Sequence, residues 1–120
     1  MIIIDTNILV RLVGSVNDLS HKKTIQLFRS GREIFIPDVV FLELQYVLHA
    51  NYGYERQEII EFIKIIMGGD NVKYNNYIPL SIYYYASSSL DMADCIIGAM
   101  AKTNKWELAS FDKKLLNLLD

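Results

Sequence analysis

The 120 residues fit one domain of ordinary size, residues 1–120, and a composition of 52% hydrophobic and 22% charged residues excludes a disordered chain. The formal net charge of -2 excludes a protein that coats nucleic acid by overall positive charge. A single cysteine excludes an internal disulfide. No basic region precedes the first isoleucines, and no apolar run is long enough to span a bilayer. The sequence therefore predicts a cytoplasmic protein with no membrane segment.

The chain begins with Ile2, Ile3 and Ile4, three consecutive β-branched residues. Such a run predicts a strand buried on both faces, as in a parallel sheet covered by helices. Asp5 follows directly, so we expect it at the carboxyl edge of the sheet, where open α/β sheets bind ligands. An aspartate at a strand-to-helix junction is also a common helix cap, and both interpretations stay open.

Two helices are predicted before the second strand. Thr6 and Asn7 are helix-starting residues whose short side chains bond backbone donors or a neighbouring carboxylate. A short helix is predicted over residues 8–13, and a second helix is predicted to be capped by Ser20 and closed by Gly31.

This first part of the chain is basic. Residues 1–32 carry a balance of +3, which leaves -5 for the remainder. The basic side chains suit contact with phosphates, but solvated helix faces carry such charges too. The residues concerned are Arg11, Lys22, Lys23, Arg29 and Arg32, against Asp5 and Asp18.

Residues 33–36 predict a second strand, and a helix over residues 38–51 follows. Glu43 stands three residues after Val40 and four before Val47, which predicts a position on or beside the inward stripe of that helix. A carboxylate there is costly unless it is paired, hydrogen-bonded or bound to a cation. The alternative is an edge position at which Glu43 reaches water.

The middle of the chain is less informative. An amphipathic helix is predicted after the turn at residues 51–54, and residues 72–74 suit a short strand. Residues 77–89 fit either strand or helix. The tyrosines at 83–85 suit base stacking, or more commonly packing or a partner surface.

Residues 90–104 predict a helix with Asp94 on the same stripe as Leu90, Ile97 and Ala101. Asp91 suits a helix cap, whereas Asp94 lies too far inside the helix for capping.

Residues 107–111 predict a last strand, and Asp112 follows it as Asp5 follows the first. A cap for the short terminal helix over residues 113–119 is again the alternative.

Four carboxylates therefore occupy special positions, and parallel strand ends can bring them to one edge of the sheet. Acids packed that closely need a compensating cation, and oxygen ligands suit Mg²⁺ or Mn²⁺. Such a site suits phosphodiester hydrolysis. The four are Asp5, Glu43, Asp94 and Asp112.

Four ordered segments carry a family resemblance: residues 5–10 (DTNILV), 40–44 (VFLEL), 91–97 (DMADCII) and 108–112 (LASFD). Together they resemble the motifs of PIN-domain ribonucleases, and most of all the small toxins of VapBC-type toxin–antitoxin modules. The resemblance implies a three-layer α/β/α sandwich with a central four- or five-stranded parallel sheet. It also implies Mg²⁺- or Mn²⁺-dependent endonuclease action on RNA, a cognate antitoxin partner and a homodimer.

The resemblance also assigns roles position by position. It makes Asp5, Glu43 and Asp94 the core catalytic and metal-binding acids, and Asp112 the fourth. The auxiliary positions are Thr6 and Asn7 beside the first acid, Ser110 near the fourth, and Asp91, which matches an acid of some members only.

Two other functions stay open at this point. One is a catalytically inactive PIN-like module that binds RNA or protein and keeps the acidic pocket. The other is a phosphohydrolase with Asp5 as a covalent nucleophile, which the asparagine at position 7 disfavours.

Overall fold

Residues 1–14 and 17–120 are described by a computed structural model. They divide into two units, Met1–Tyr74 and Asn75–Asp120, here named the N unit and the C unit. Each is described by itself, and the expectation of a single domain over residues 1–120 stays a prediction.

The N unit contains a parallel sheet of three short strands: β1 (Ile2–Ile3), β2 (Ile34–Phe35) and β3 (Val72–Lys73). The β2 strand lies in the middle, and backbone bonds such as the one from Ile34 N–H to the Asn71 carbonyl (2.8 Å) continue the pairing beyond the assigned strands. The register aligns Ile2 with Ile34 and Val72, and Ile3 with Phe35 and Lys73.

The parallel α/β architecture is confirmed, but the sheet has three strands in the described residues, where four or five were expected. The strand predicted over residues 107–111 is wrong, because that segment is irregular. Glu107, Ala109 and Phe111 are exposed, so the segment gains little from the burial that stabilises a strand. Trp106, which precedes it, is also 61% exposed.

The first strand is covered on one face only. Successive side chains of a strand point to opposite faces, and Ile4 is 4% exposed while Ile3 is 67% exposed. The expectation that all three isoleucines are buried is therefore wrong at Ile3.

Four helices accompany the sheet: α1 (Thr6–Val10), α2 (Leu19–Arg29), α3 (Asp38–Tyr52) and α4 (Arg56–Met67). The first begins two residues earlier than predicted, because Asp5 caps it.

The cap of α2 is Asp18 and not the predicted Ser20. The Asp18 carboxylate accepts a hydrogen bond from the Ser20 backbone N–H at 2.7 Å. Ser20 lies inside the first turn, and its carbonyl accepts a bond from the Thr24 hydroxyl at 3.0 Å.

The core of the N unit is built on α3. Val40, Phe41, Leu44 and Leu48 recur at helical spacing and are each at most 2% exposed. The Phe41 ring packs edge-on against Tyr74, with ring centroids 6.5 Å apart. This packing holds α3 in place beside the sheet that carries Asp5.

The C unit consists of α5 (Ile78–Ser87), α6 (Met92–Asn104) and α7 (Lys113–Asn117). The ambiguous segment is thus helical. Tyr84 and Tyr85 are buried and Tyr83 is 64% exposed, so two of the three tyrosines are packing residues.

Helix α6 is the centre of the C unit. Met92, Cys95 and Ala99 are fully buried, and the small Gly98 lets α7 approach closely: a Cβ there would lie 3.3 Å from Leu115 Cδ1. Because Cys95 is buried, it is a packing residue.

The helices are short. The longest, α3, has 15 residues, whereas a membrane span needs about 20. Within residues 1–14 and 17–120, no helix has both the length and the apolar character for crossing a membrane.

Candidate active site

Asp5 lies two residues after the end of β1 and caps α1. Its Oδ1 accepts a hydrogen bond from the Ile8 backbone N–H at 3.3 Å. Asp5 is therefore a helix cap, as the sequence had left open. The capping bond involves Oδ1 and not Oδ2. Capping fixes the direction of the carboxylate without consuming its capacity to bind a ligand.

Thr6 connects this residue to α3. The Thr6 hydroxyl donates a hydrogen bond to Glu43 Oε2 at 2.9 Å, across 37 positions of sequence. Thr6 is 6% exposed, so its hydroxyl is held in a fixed place. The bond orients Glu43, whereas the resemblance placed Thr6 beside the first acid, Asp5.

Glu43 is exposed, which corrects its expected place on the inward stripe of α3. The buried face passes through Val40, Leu44 and Leu48, whereas Val39 and Tyr46, which share a face with Glu43 at helical spacing, are 52% and 68% exposed. The edge position was the alternative, and it leaves Glu43 open to solvent and ligands.

Asp5 and Glu43 line the same cavity of about 370 Å³. Its other walls are mostly apolar and include the exposed side chains of Ile3 and Val39. Sequence reasoning missed both as site residues; the shared face of positions 39, 43 and 46 was the available signal for Val39. The full lining is Ile3, Ile4, Asp5, Thr6, Pro37, Val39, Val40 and Glu43.

Asn7 is exposed and lies on a different cavity, of about 500 Å³, which Asp5 also lines. Asp5 therefore lines both of these cavities.

The C unit carries the other acids. Asp91 caps α6, because its Oδ1 accepts a bond from the Asp94 backbone N–H at 3.0 Å. Asp112 caps α7 in the same way, with Oδ1 accepting from Lys114 N–H at 2.9 Å. The Ser110 hydroxyl accepts a bond from the Asp112 backbone N–H at 3.0 Å, which fixes that junction.

Asp94 is only half-buried, so its predicted stripe lies at the margin of the packed face, with Ile97 44% exposed. Desolvation, followed by the negative charges of Asp91 and Asp112, raises the pKa of Asp94 above its ordinary value. The three carboxylates thus interact within the C unit, and a cation bound among them would relieve the repulsion.

The histidines have structural partners. His21 Nδ1 bonds the Arg11 carbonyl at 2.8 Å, and His49 Nδ1 bonds the Tyr54 carbonyl at 3.0 Å. Neither was assigned a catalytic role from the sequence.

The acidic residues of the N unit and those of the C unit each suit a hard divalent cation, because each set offers carboxylate and hydroxyl oxygens. In the part of the chain that the structure describes, no group of three or more histidine, cysteine or acidic side chains is arranged to hold a metal ion. Metal binding by Asp5, Glu43, Asp94 and Asp112 together stays a prediction.

A family model described as the PIN domain matches residues 2–118. The chain belongs to the PIN-domain family. A protein of Aquifex aeolicus (strain VF5) named VapC ribonuclease is 27% identical over 126 residues, covering 98% of this chain and 92% of the relative.

Proposed function

We propose that this PIN-domain chain is a divalent-metal-dependent endoribonuclease and the toxin of a toxin–antitoxin module. The observation that carries the proposal is the pairing of Asp5 with a Thr6-oriented Glu43 on one cavity. Membership of the PIN-domain family and similarity to a protein named VapC ribonuclease support the reaction class.

Asp5, Glu43, Asp94 and Asp112 would hold Mg²⁺ or Mn²⁺. When bound, such an ion supplies an activated water and stabilises charge on the phosphate. The raised pKa of Asp94 supports a requirement for positive charge beside that residue.

The chain's own side chains have separate tasks in this proposal. The Ile8 N–H holds Asp5 in position through Oδ1, and Thr6 fixes the rotamer of Glu43. Asp91 and Ser110 position Asp94 and Asp112 through backbone bonds, and Asn7 faces the RNA beside Asp5.

The partners follow from the same assignment. They are an RNA substrate, a cognate antitoxin and a second copy of the chain in a homodimer, in the cytoplasm. The similarity to a protein named VapC ribonuclease supports the RNA substrate.

The decisive experiment replaces Asp5 by Asn. The substitution keeps the size and the capping oxygen but removes the charge, so we expect Mg²⁺- or Mn²⁺-dependent cleavage of single-stranded RNA to fall by about 100-fold or more. Cleavage is followed on end-labelled RNA with purified protein, and EDTA provides the metal-free reference.

The matched control is Asp70→Asn, which removes the same charge from an exposed residue that does not line the cavity of Asp5 and Glu43. We expect it to cleave like the unaltered protein. Undiminished cleavage by Asp5→Asn would contradict the proposed role of Asp5.

One observation favours a second candidate, a catalytically inactive module that binds RNA or protein. It is that no metal-holding group of three side chains occurs within residues 1–14 and 17–120. The cleavage assay beside calorimetric titration with Mn²⁺ separates the candidates, because the absence of cleavage supports the inactive module whether or not Mn²⁺ binds.

A further inference from the structure

The cavity that Asp5 shares with Asn7 lies between α1 and α2 and has a volume of about 500 Å³. Thr24, which is 3% exposed, and the half-buried Leu27 contribute to its wall from α2. Asp5, Arg11 and Lys23 also line it.

Two cations line this cavity, one just after α1 and one on α2. Arg11 directly follows α1 and Lys23 lies on α2, and both side chains are exposed. Lys22, the neighbouring residue on α2, is exposed as well but does not line the cavity. The fold therefore brings positive side chains from two elements to one cavity, which differs from a set of solvated charges on a single helix face.

Asp18, the nearby anion, does not line the cavity. The pKa of Asp18 is lowered chiefly by the backbone hydrogen bond from Ser20, and the charges of Arg11 and His21 add smaller effects. Because the Asp18 carboxylate caps α2, the several N–H donors of the Arg11 guanidinium remain suited to a phosphate.

Asp5 connects the cations to the candidate active site. It lines the cavity that contains Arg11 and Lys23 as well as the cavity that contains Glu43. An RNA strand with one phosphate at Asp5 can place a neighbouring phosphate in the basic cavity, where the cations offset the repulsion between RNA and the acids.

We propose that Arg11 and Lys23 bind a phosphate of the RNA strand next to the scissile one and so position the substrate at Asp5. This inference rests on the proposed ribonuclease function and adds to it a place for the substrate backbone. Contact with phosphate makes the interaction independent of base sequence.

The test measures binding separately from cleavage. A fluorescein-labelled single-stranded RNA is titrated with protein in EDTA, and the dissociation constant is determined from fluorescence polarisation over a series of KCl concentrations. Each phosphate contact on a single strand contributes about 0.7 to the slope of log K against log salt.

We expect Arg11→Ala with Lys23→Ala to reduce that slope by about 0.7, the contribution of the one phosphate that both side chains contact, and to weaken binding on the order of tenfold at low salt. The charge-conserving pair Arg11→Lys with Lys23→Arg should keep the slope. Lys22→Ala, which removes the same charge one residue away, should leave the slope closer to that of the unaltered protein than Lys23→Ala does.

The inference is overturned if the slope is unchanged in the Arg11 and Lys23 double variant, or if Lys22→Ala reduces the slope as much as Lys23→Ala does. Either result overturns it even if the unaltered protein cleaves RNA with Mn²⁺. A reduced slope with no cleavage by the unaltered protein supports the cavity as a phosphate site and overturns the proposed endonuclease function. Circular dichroism of each variant confirms that the fold is intact.

Discussion

The Asp5 carboxylate caps α1 through Oδ1 and faces two cavities of the N unit. Capping and ligand binding are therefore compatible at this residue. A carboxylate that is already oriented by a backbone N–H loses less freedom when it binds an ion than a free side chain does. The same cap makes Asn the right substitution in the cleavage assay, because Ala would also cost about 1 kcal/mol of stability.

The raised pKa of Asp94 predicts that the stability of the fold depends on pH. Its pKa is raised in the folded protein, so the folded state holds the proton more tightly than the unfolded state. The stability associated with the proton is complete below the ordinary value of 3.8 and is lost as the pH rises through the folded pKa. Above that window the ionised Asp94 destabilises the fold.

We therefore expect Asp94→Asn to raise the free energy of unfolding at pH 7 in EDTA and to change it less at pH 3. Urea unfolding at both values measures the difference. Asp70→Asn, an exposed position in the N unit, controls for the general loss of a negative charge. The same change in stability at both pH values would show that the charge of Asp94 is not the cause.

Two glycines end helices of the N unit in different conformations. Gly53, after α3, is left-handed with a φ of 68°, and Gly68, after α4, is right-handed with a φ of -74°. A side chain is strained in the left-handed conformation but not in the right-handed one. At Gly68 an added Cβ would meet the Lys64 and Ile65 carbonyl oxygens at 3.4 Å, an ordinary contact.

We expect Gly53→Ala to lower the free energy of unfolding by about 1 kcal/mol. Gly68→Ala should be neutral or raise it by about 0.5 kcal/mol, because alanine restricts the unfolded chain. Urea unfolding of both variants under one set of conditions provides the comparison. Equal losses in the two would contradict the conformational explanation.

The elements predicted from periodicity are largely present, since the helices over residues 38–51 and 90–104 match α3 and α6 closely. Their long apolar stripes make helices easy to recognise. The strand over residues 107–111 fails because strand preference depends on burial and on a pairing partner, which a local pattern does not contain.

The site residues also include features that a local sequence pattern shows and features that it does not. Both Asp5 and Asp112 are helix caps, the alternative that the sequence left open, but the strand predicted before Asp112 is absent from the described residues. The exposure of Glu43 and its bond from Thr6 depend on the packing of α1 against α3, which no local pattern reveals. The basic residues were visible as a charge balance, but their common cavity was not.

The candidate metal-binding acids predict how the stability of the whole molecule changes when a metal ion is added. A ligand that binds the folded state alone stabilises it by about 2.7 kcal/mol at 100 times its dissociation constant. We expect Mn²⁺ to raise the melting temperature of the unaltered chain by several degrees, and EDTA to reverse the change. Differential scanning fluorimetry over a Mn²⁺ series measures it.

The variants Asp5→Asn and Asp94→Asn should lose most of this shift, while Asp70→Asn keeps it. A shift that persists in both site variants would place the Mn²⁺ elsewhere on the chain.

Trp106 is the single tryptophan and is 61% exposed, at the end of α6 in the C unit. Its indole is largely hydrated in the folded protein, so its emission is expected to shift little towards the red on unfolding. Intrinsic tryptophan fluorescence would thus report local events beside α6 and give a weak signal for the N unit. Far-ultraviolet dichroism is the better optical probe for the unfolding experiments.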